Sequence, residues 1–264
     1  MPLVYSIKET SLISMANHVR AKGGITELLS IPEGFNAAID AINGNNDELL
    51  NSIVDRTASD LVCTASSVGD DVFRHFESLV SARFPNAASF GNDSFYGCKN
   101  LSSIDTENVQ SIGNSCFYHC DALTSIEFSY VTSVGYNAFA YCKNITKIAL
   151  PMATTIKYGA FSNCDSLTEI DVSSVQSLDF GTFDNCNLLH SITLPSVISM
   201  NNPFSNCNRL NKIVLPGDTV CALQDTLGDN MYPGVRIEVN PSLLSQYKDS
   251  MDWYDYQDQI FSIA

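Results

Sequence analysis

The sequence has little positive charge and no long apolar run. Its 264 residues carry 14 Lys and Arg against 29 Asp and Glu, a formal net charge of −15. An acidic surface repels phosphate backbones, so no nucleic-acid partner is expected, and acidic membranes are disfavoured for the same reason. No stretch of about 18 apolar residues occurs, so no membrane-spanning helix and no membrane insertion are expected. The first 15 residues, MPLVYSIKETSLISM, lack a basic leader and a long apolar core and do not read as a signal peptide. Catalytic signatures are scarce too. There is no G-x-S-x-G elbow, no H-E-x-x-H, no P-loop and no G-x-G-x-x-G. No C-x-x-C occurs, and His18, His75, His119 and His190 form no zinc spacing with the cysteines. These absences predict a chain without enzymatic activity, cofactor or metal.

What is present is a repeat. Residues 112–128, IGNSCFYHCDALTSIEF, are followed by residues 134–150, VGYNAFAYCKNITKIAL, with Phe, Cys, Leu or Ile, Ile and a final apolar residue recurring after 22 positions. A fixed period of this size signals a solenoid. The phenylalanine ladder is Phe73, Phe95, Phe117, Phe139, Phe161 and Phe183, with Phe204 one residue early. A second ladder runs Leu79, Leu101, Leu123, Ile145, Leu167, Leu189 and Leu210. Nine cysteines cannot all pair within one chain, and Cys98, Cys120, Cys142, Cys164 and Cys186 share one repeat position, with Cys207 following after 21 residues. Small thiols pack well in a core, and parallel side-chain direction along a stack disfavours disulfides between neighbours.

These patterns predict an α+β repeat solenoid of seven coils from Val68 to about Leu215, built on short parallel strands. Residues 1–60 read as a helical N-terminal segment, 61–216 as the solenoid and 217–264 as an α/β C-terminal cap. Apolar stripes place helices over residues 10–22, from Pro32 to about Ile42, and over 47–55. Leu61–Thr64 reads as the first strand. Within a coil, Ile126 and Phe128 should face inward and Ser125 and Glu127 outward. Asn137–Cys142 suits one turn of α or 3₁₀ helix. The pattern breaks at Pro216 and Gly217. Val235–Val239 then alternates as a strand, Pro241–Lys248 reads as a helix, and Trp253, Tyr254, Tyr256 and Ile260 form an aromatic closing segment, since a solenoid end must be covered.

The 22-residue phrase resembles the BspA-like leucine-rich repeat, whose pattern is I-G-x-x-A-F-x-x-C-x-x-L-x-x-I-x-L-P. The match runs from Val68 to Pro216. Ala138, Phe139 and Cys142 fit closely, as do Ala160, Phe161 and Cys164. Cys116 and Thr182 depart from the Ala position and Phe76 from the Cys position. The flanks, Leu12–Lys22 with Pro32–Ile42 and Ile237–Ile260, resemble segments of bacterial and prophage tail-associated repeat proteins. The resemblance implies a binding or adhesion module that recognises a protein or glycan and is extracellular, on a bacterial cell surface or virion-associated. A structural piece of a phage-type tail, assembled as a homo-oligomer through its N-terminal helices, is the alternative.

Three groups of residues invite a functional reading. Cys116 and His119 look like a nucleophile and its base, but the repeat register puts Cys116 on a packed position. The Asp and Asn residues beside the ladder cysteines read as turn formers. Two outward surfaces remain as binding candidates. On the strand face lie Glu127, Lys147, Glu169 and Asp171. In the column after the Ile-Gly pair, Asp70, Asn92 and Asn114 give way to Tyr136, Tyr158 and Phe180, an aromatic row open to a protein or glycan partner.

Overall fold

A computed structural model describes residues 6–7, 59–63, 65–105 and 107–264. The helices expected over 10–22, 32–42 and 47–55, and with them the helix-mediated homo-oligomer, lie outside the described residues.

One coil carries too few apolar side chains to exclude water alone, so its stability comes from stacking on its neighbours. The described residues form a parallel β-solenoid of about nine turns, seven of which contribute a strand to each of two faces. The strand face holds β1 (Ser6–Ile7), β2 (Asp60–Cys63), β3 (Ser81–Arg83), β5 (Ser103–Asp105), β7 (Ser125–Glu127), β9 (Lys147–Ala149), β11 (Glu169–Asp171), β13 (Ser191–Thr193), β15 (Lys212–Leu215), β17 (Arg236–Val239) and β18 (Ile260–Ser262). The second face holds β4 (Ser89–Phe90), β6 (Ser111–Ile112), β8 (Ser133–Val134), β10 (Thr155–Ile156), β12 (Ser177–Leu178), β14 (Ser199–Met200) and β16 (Ala222–Leu223). Strand pairing preserves the sequence period, as in Ser125↔Lys147 and Ile126↔Ile148. The stack therefore extends beyond the seven coils read from the repeat. Asp60–Cys63 pairs below the first of them, and Arg236–Val239 and Ile260–Ser262 pair above the last. The first two of these match the strands read at Leu61–Thr64 and Val235–Val239, whereas Ile260–Ser262 lies in the segment read only as an aromatic closure. Ser6–Ile7, inside the segment read as helical, is a strand paired with Val62 and Cys63.

Two sharp corners per coil replace the helical turn expected at Asn137–Cys142. Asp71, Asp93, Ser115, Asn137, Gly159, Gly181 and Asn202 share one left-handed corner, and His75, Gly97, His119, Tyr141, Asn163, Asn185 and Asn206 share the other. Positive φ at both ends stops the turn from propagating as a helix, and it explains the abundance of Asn, Asp and Gly there. Between the corners the backbone also bonds from coil to coil, as in Phe95 N–H to the Cys116 carbonyl at 2.9 Å and Phe117 N–H to that of Ala138 at 2.7 Å.

The core is the set of ladders. Phe95 and Phe117 stack with centroids 5.2 Å apart and an interplanar angle of 1°, and Phe117 and Phe139 with 5.2 Å and 12°. Phe204, one residue early, still stacks on Phe183 at 5.5 Å. Phe95, Phe117, Phe139, Phe161 and Phe183 and the cysteines Cys98, Cys120, Cys142, Cys164 and Cys186 are all fully buried. All nine cysteines are free thiols. Each ladder thiol donates to the carbonyl of the phenylalanine one coil back, Cys120 Sγ to Phe95 at 3.2 Å and Cys142 Sγ to Phe117 at 3.0 Å. These carbonyls also accept the N–H three residues on, as Phe117 does from Cys120 at 3.1 Å, so the thiol adds a second donor at the size of a small apolar residue.

The helices among the described residues lie in the cap, so the label α+β narrows to a β-solenoid. A 3₁₀ turn at Pro241–Leu243 leads into α1 (Leu244–Asp249), and a second 3₁₀ stretch covers Met251–Gln259. Trp253 and Tyr247 are buried against the last coil, with Trp253 Nε1 donating to the Cys221 carbonyl at 2.7 Å and Cys221 N–H donating to Tyr247 Oη at 2.9 Å. Tyr254, expected in this cluster, is exposed.

Candidate functional site

The strand face differs from the second face in one respect. The second face is an unbroken sheet from β4 to β16, whereas the strand-face sheet lapses between β5 and β7 and again between β11 and β13. The inward isoleucine just before each lapse, Ile104 in one case and Ile170 in the other, is only partly buried. In the repeat register, Thr106 stands where neighbouring coils place Phe84, Phe128 and Leu150. An open cleft of about 510 Å³ lies at the first lapse, lined by residues of β5, β7 and β9 together with Glu107 and Ser129.

Of the charged residues singled out on this face, Glu127 and Lys147 line the cleft and Glu169 and Asp171 do not. Lys147 Nζ reaches Glu169 at 3.0 Å in an exposed ion pair, and Asp171 accepts from the Ser173 N–H at 3.0 Å. Arg83 pairs with Asp105 at 3.3 Å across β3 and β5, and Lys212 with Glu238 at 2.8 Å across β15 and β17. Exposed pairs of this kind add about 0–1 kcal/mol each. They fix charge positions more than they stabilise.

The aromatic row lies on another side of the coil, just after the strands of the second face. Tyr136, Tyr158 and Phe180 are 49%, 46% and 42% exposed. Tyr158 and Phe180 stack at 5.8 Å and 6°. In the earlier coils the same column is a ladder of polar caps. Asn92 N–H donates to Asp70 Oδ1 at 2.6 Å, Asn114 N–H to Asn92 Oδ1 at 2.8 Å, and Tyr136 N–H to Asn114 Oδ1 at 2.9 Å. The column therefore changes from backbone capping to exposed aromatic surface at Tyr136.

A second aromatic row was not singled out from the sequence. Tyr96 stacks on Tyr118 at 4.8 Å and 6°, Tyr118 meets Tyr141 at 5.2 Å, and the Arg74 guanidinium sits 4.3 Å over Tyr96. The register conceals it, because Tyr96 and Tyr118 follow the ladder phenylalanine directly whereas Tyr141 lies two positions after it.

The thiols are poorly placed for catalysis. Cys116 is fully buried, 3.2 Å from Ser94 Oγ, and burial pushes its pKa far up. Cys142 and Cys207 are pushed up to about 12 by the same desolvation. A nucleophilic thiol needs the opposite, a lowered pKa and exposure. His119 occupies a left-handed corner, its Nδ1 3.6 Å from Asp121 Oδ1. Among the described residues no group of three His, Cys, Asp or Glu side chains is placed to hold a metal ion. No helix among them is long and apolar enough to cross a membrane.

Comparison with known proteins agrees with this architecture. The BspA type leucine rich repeat region matches residues 57–155 and 110–227 in six copies. No curated protein matches the chain. Among solved structures, the T. pallidum leucine rich repeat protein superposes with a TM-score of 0.56 at 20% identity, covering 66% of this chain and 87% of that one. A leucine-rich repeat protein from Bacteroides ovatus gives a TM-score of 0.48 at 21% identity, covering 66% of this chain and 59% of its own. With the family's repeat matched across 57–227, more than half of the sequence, the chain belongs to the BspA-type leucine-rich repeat family.

Proposed function

We propose that the chain is a non-catalytic recognition module, displayed at a bacterial cell or particle surface, that binds a protein or glycan through side chains which do not repeat. The observation that carries this reading is the aromatic row. A column that caps backbone in one half of the solenoid exposes Tyr136, Tyr158 and Phe180 in the other, and a contiguous exposed apolar patch is the usual mark of an interaction site. The stacking of Tyr158 on Phe180 uses up one face of each ring. A protein surface, which can pack against ring edges, suits the row better than a sugar, which needs a free face. Family membership supports a binding scaffold, and burial of the thiols argues against a thiol enzyme.

The test is binding of the labelled chain to intact bacterial cells and to a glycan array, beside the double variant Tyr136→Ser/Tyr158→Ser. The variant should lose binding while keeping its melting temperature. Unchanged binding would remove the row as the site. The tail-assembly alternative drawn from the flanks is tested by light scattering of the full chain against one lacking residues 1–50. A monomer in both counts against it.

A further inference from the structure

We propose that the cleft between β5 and β7 is a pairing site for an extended, basic peptide segment, which inserts as a strand where the parallel ladder lapses. Two edges face one another there. β5 pairs with β3 on its far side and β7 with β9 on its own, while β5 and β7 do not pair with each other. The coils to which they belong remain joined elsewhere. β6 pairs with β8, Phe117 stacks on Phe139, and Cys142 Sγ still reaches the Phe117 carbonyl. The opening is thus a wedge on the strand face, hinged on an intact second face. Unpaired strand edges are templates for an added strand, whose main chain supplies the bonds and whose alternate side chains supply the specificity.

The lining says which strand fits. Ile104, partly buried, and Ile126 form the floor, so residues of the guest pointing inward are apolar. Asp105, Glu107 and Glu127 line the cleft beside one cation, Lys147; Asp105 also pairs with Arg83 and Lys147 with Glu169, so the lining with these partners carries four acids to two bases. Residues of the guest pointing outward are therefore Arg or Lys, and the whole-chain charge of −15 steers such a segment inward. The guest alternates basic and apolar residues over the few positions that strands of this length can pair. A glycan would use the hydroxyls and carboxylates of the cleft but leave the amide edges unpaired.

The inference rests on the chain being a recognition module, and the two readings fail separately. The test is calorimetric titration of the full chain with the peptide acetyl-RVRVRVR-amide. Binding at one site per chain is expected. Glu127→Lys and methylation of the valine amides of the peptide should each weaken it by roughly tenfold or more. The charge change Asp252→Lys, in the cap, should leave the affinity unaltered, and melting temperatures report that each variant folds. Tyr136→Ser/Tyr158→Ser should also bind the peptide normally, so loss of the aromatic row and loss of the cleft are seen apart. Affinity that survives amide methylation, equal binding of acetyl-EVEVEVE-amide, or no binding at millimolar peptide would overturn the proposal. Displacement of the basic peptide by cellohexaose in a Glu127-dependent manner would reassign the cleft to a glycan and overturn it too.

Discussion

At the scale of the residue, position in the coil decides what a side chain does. Cys142 looks like a reactive group and acts as a core donor. Cys142→Ala should cost about 0.5–1.5 kcal/mol for the lost thiol hydrogen bond, because the Phe117 carbonyl keeps the Cys120 N–H at 3.1 Å, measured by denaturant unfolding. Phe139 sits between two stacked rings and is fully buried, so Phe139→Ala should cost about 3–5 kcal/mol, and a thermal melt showing no loss would contradict the core assignment. Gly159 holds φ at +64°. Gly159→Val should cost about 1–3 kcal/mol by the same measurement. Asp184 has a buried Oδ1 without a partner, and desolvation raises its pKa above the usual carboxylate value. The folded state then holds a proton more tightly than the unfolded chain. The contribution of this group to stability is greatest at low pH and declines as pH rises from the unfolded value through the raised one. Asp184→Asn should remove that decline and raise the melting temperature at pH 7, as melts across pH 3–7 would show. The Phe, Cys and Leu ladders were legible in the sequence because each is a single residue type at a fixed period. The left-handed corners were less so. They accept His75, Gly97, His119, Tyr141 and Asn163 alike, and residue type alone does not reveal that these share a backbone conformation.

At the scale of the element, the strands are too short to hold together by local pairing, and what joins them is the neighbouring coil. That is why Ile126 and Ser125 could be assigned inward and outward from alternation alone. Pairing itself was not legible. The lapse after β11 falls where Val172 and Leu194, at the inward anchor position, are both buried, so the apolar pattern gives no sign of where pairing stops. The cap was read from its aromatic residues. Its 3₁₀ character was not, since one buried indole bonded to Cys221 sets the path of the chain there. Trp253→Ala should strip this end, and hydrogen exchange should accelerate first across residues 212–262 while coils near Phe117 keep their protection. Uniform acceleration along the whole chain would show that the cap is not a local element.

At the scale of the whole molecule, the stack has two kinds of surface. Its ladders repeat, bury themselves and set the fold. Its exposed columns vary, from Asn114 to Tyr136 or from Ser125 to Lys147, and it is to them that the proposed recognition is assigned. The candidate binding surface was partly legible, because a change of residue type within a column is visible in sequence. The cleft was not, because it arises from two coils parting and no single coil encodes it. The central claim is that positions which repeat are core, however chemical they look, and that the ladder thiols therefore pack and do not react. Its most direct measurement is thiol labelling of the native full chain followed by intact mass. All nine cysteines are buried in the folded protein. The account predicts no label taken up while a free model thiol is consumed, and nine labels after denaturation. Rapid native labelling of Cys116, or of any cysteine on the ladder, would contradict it.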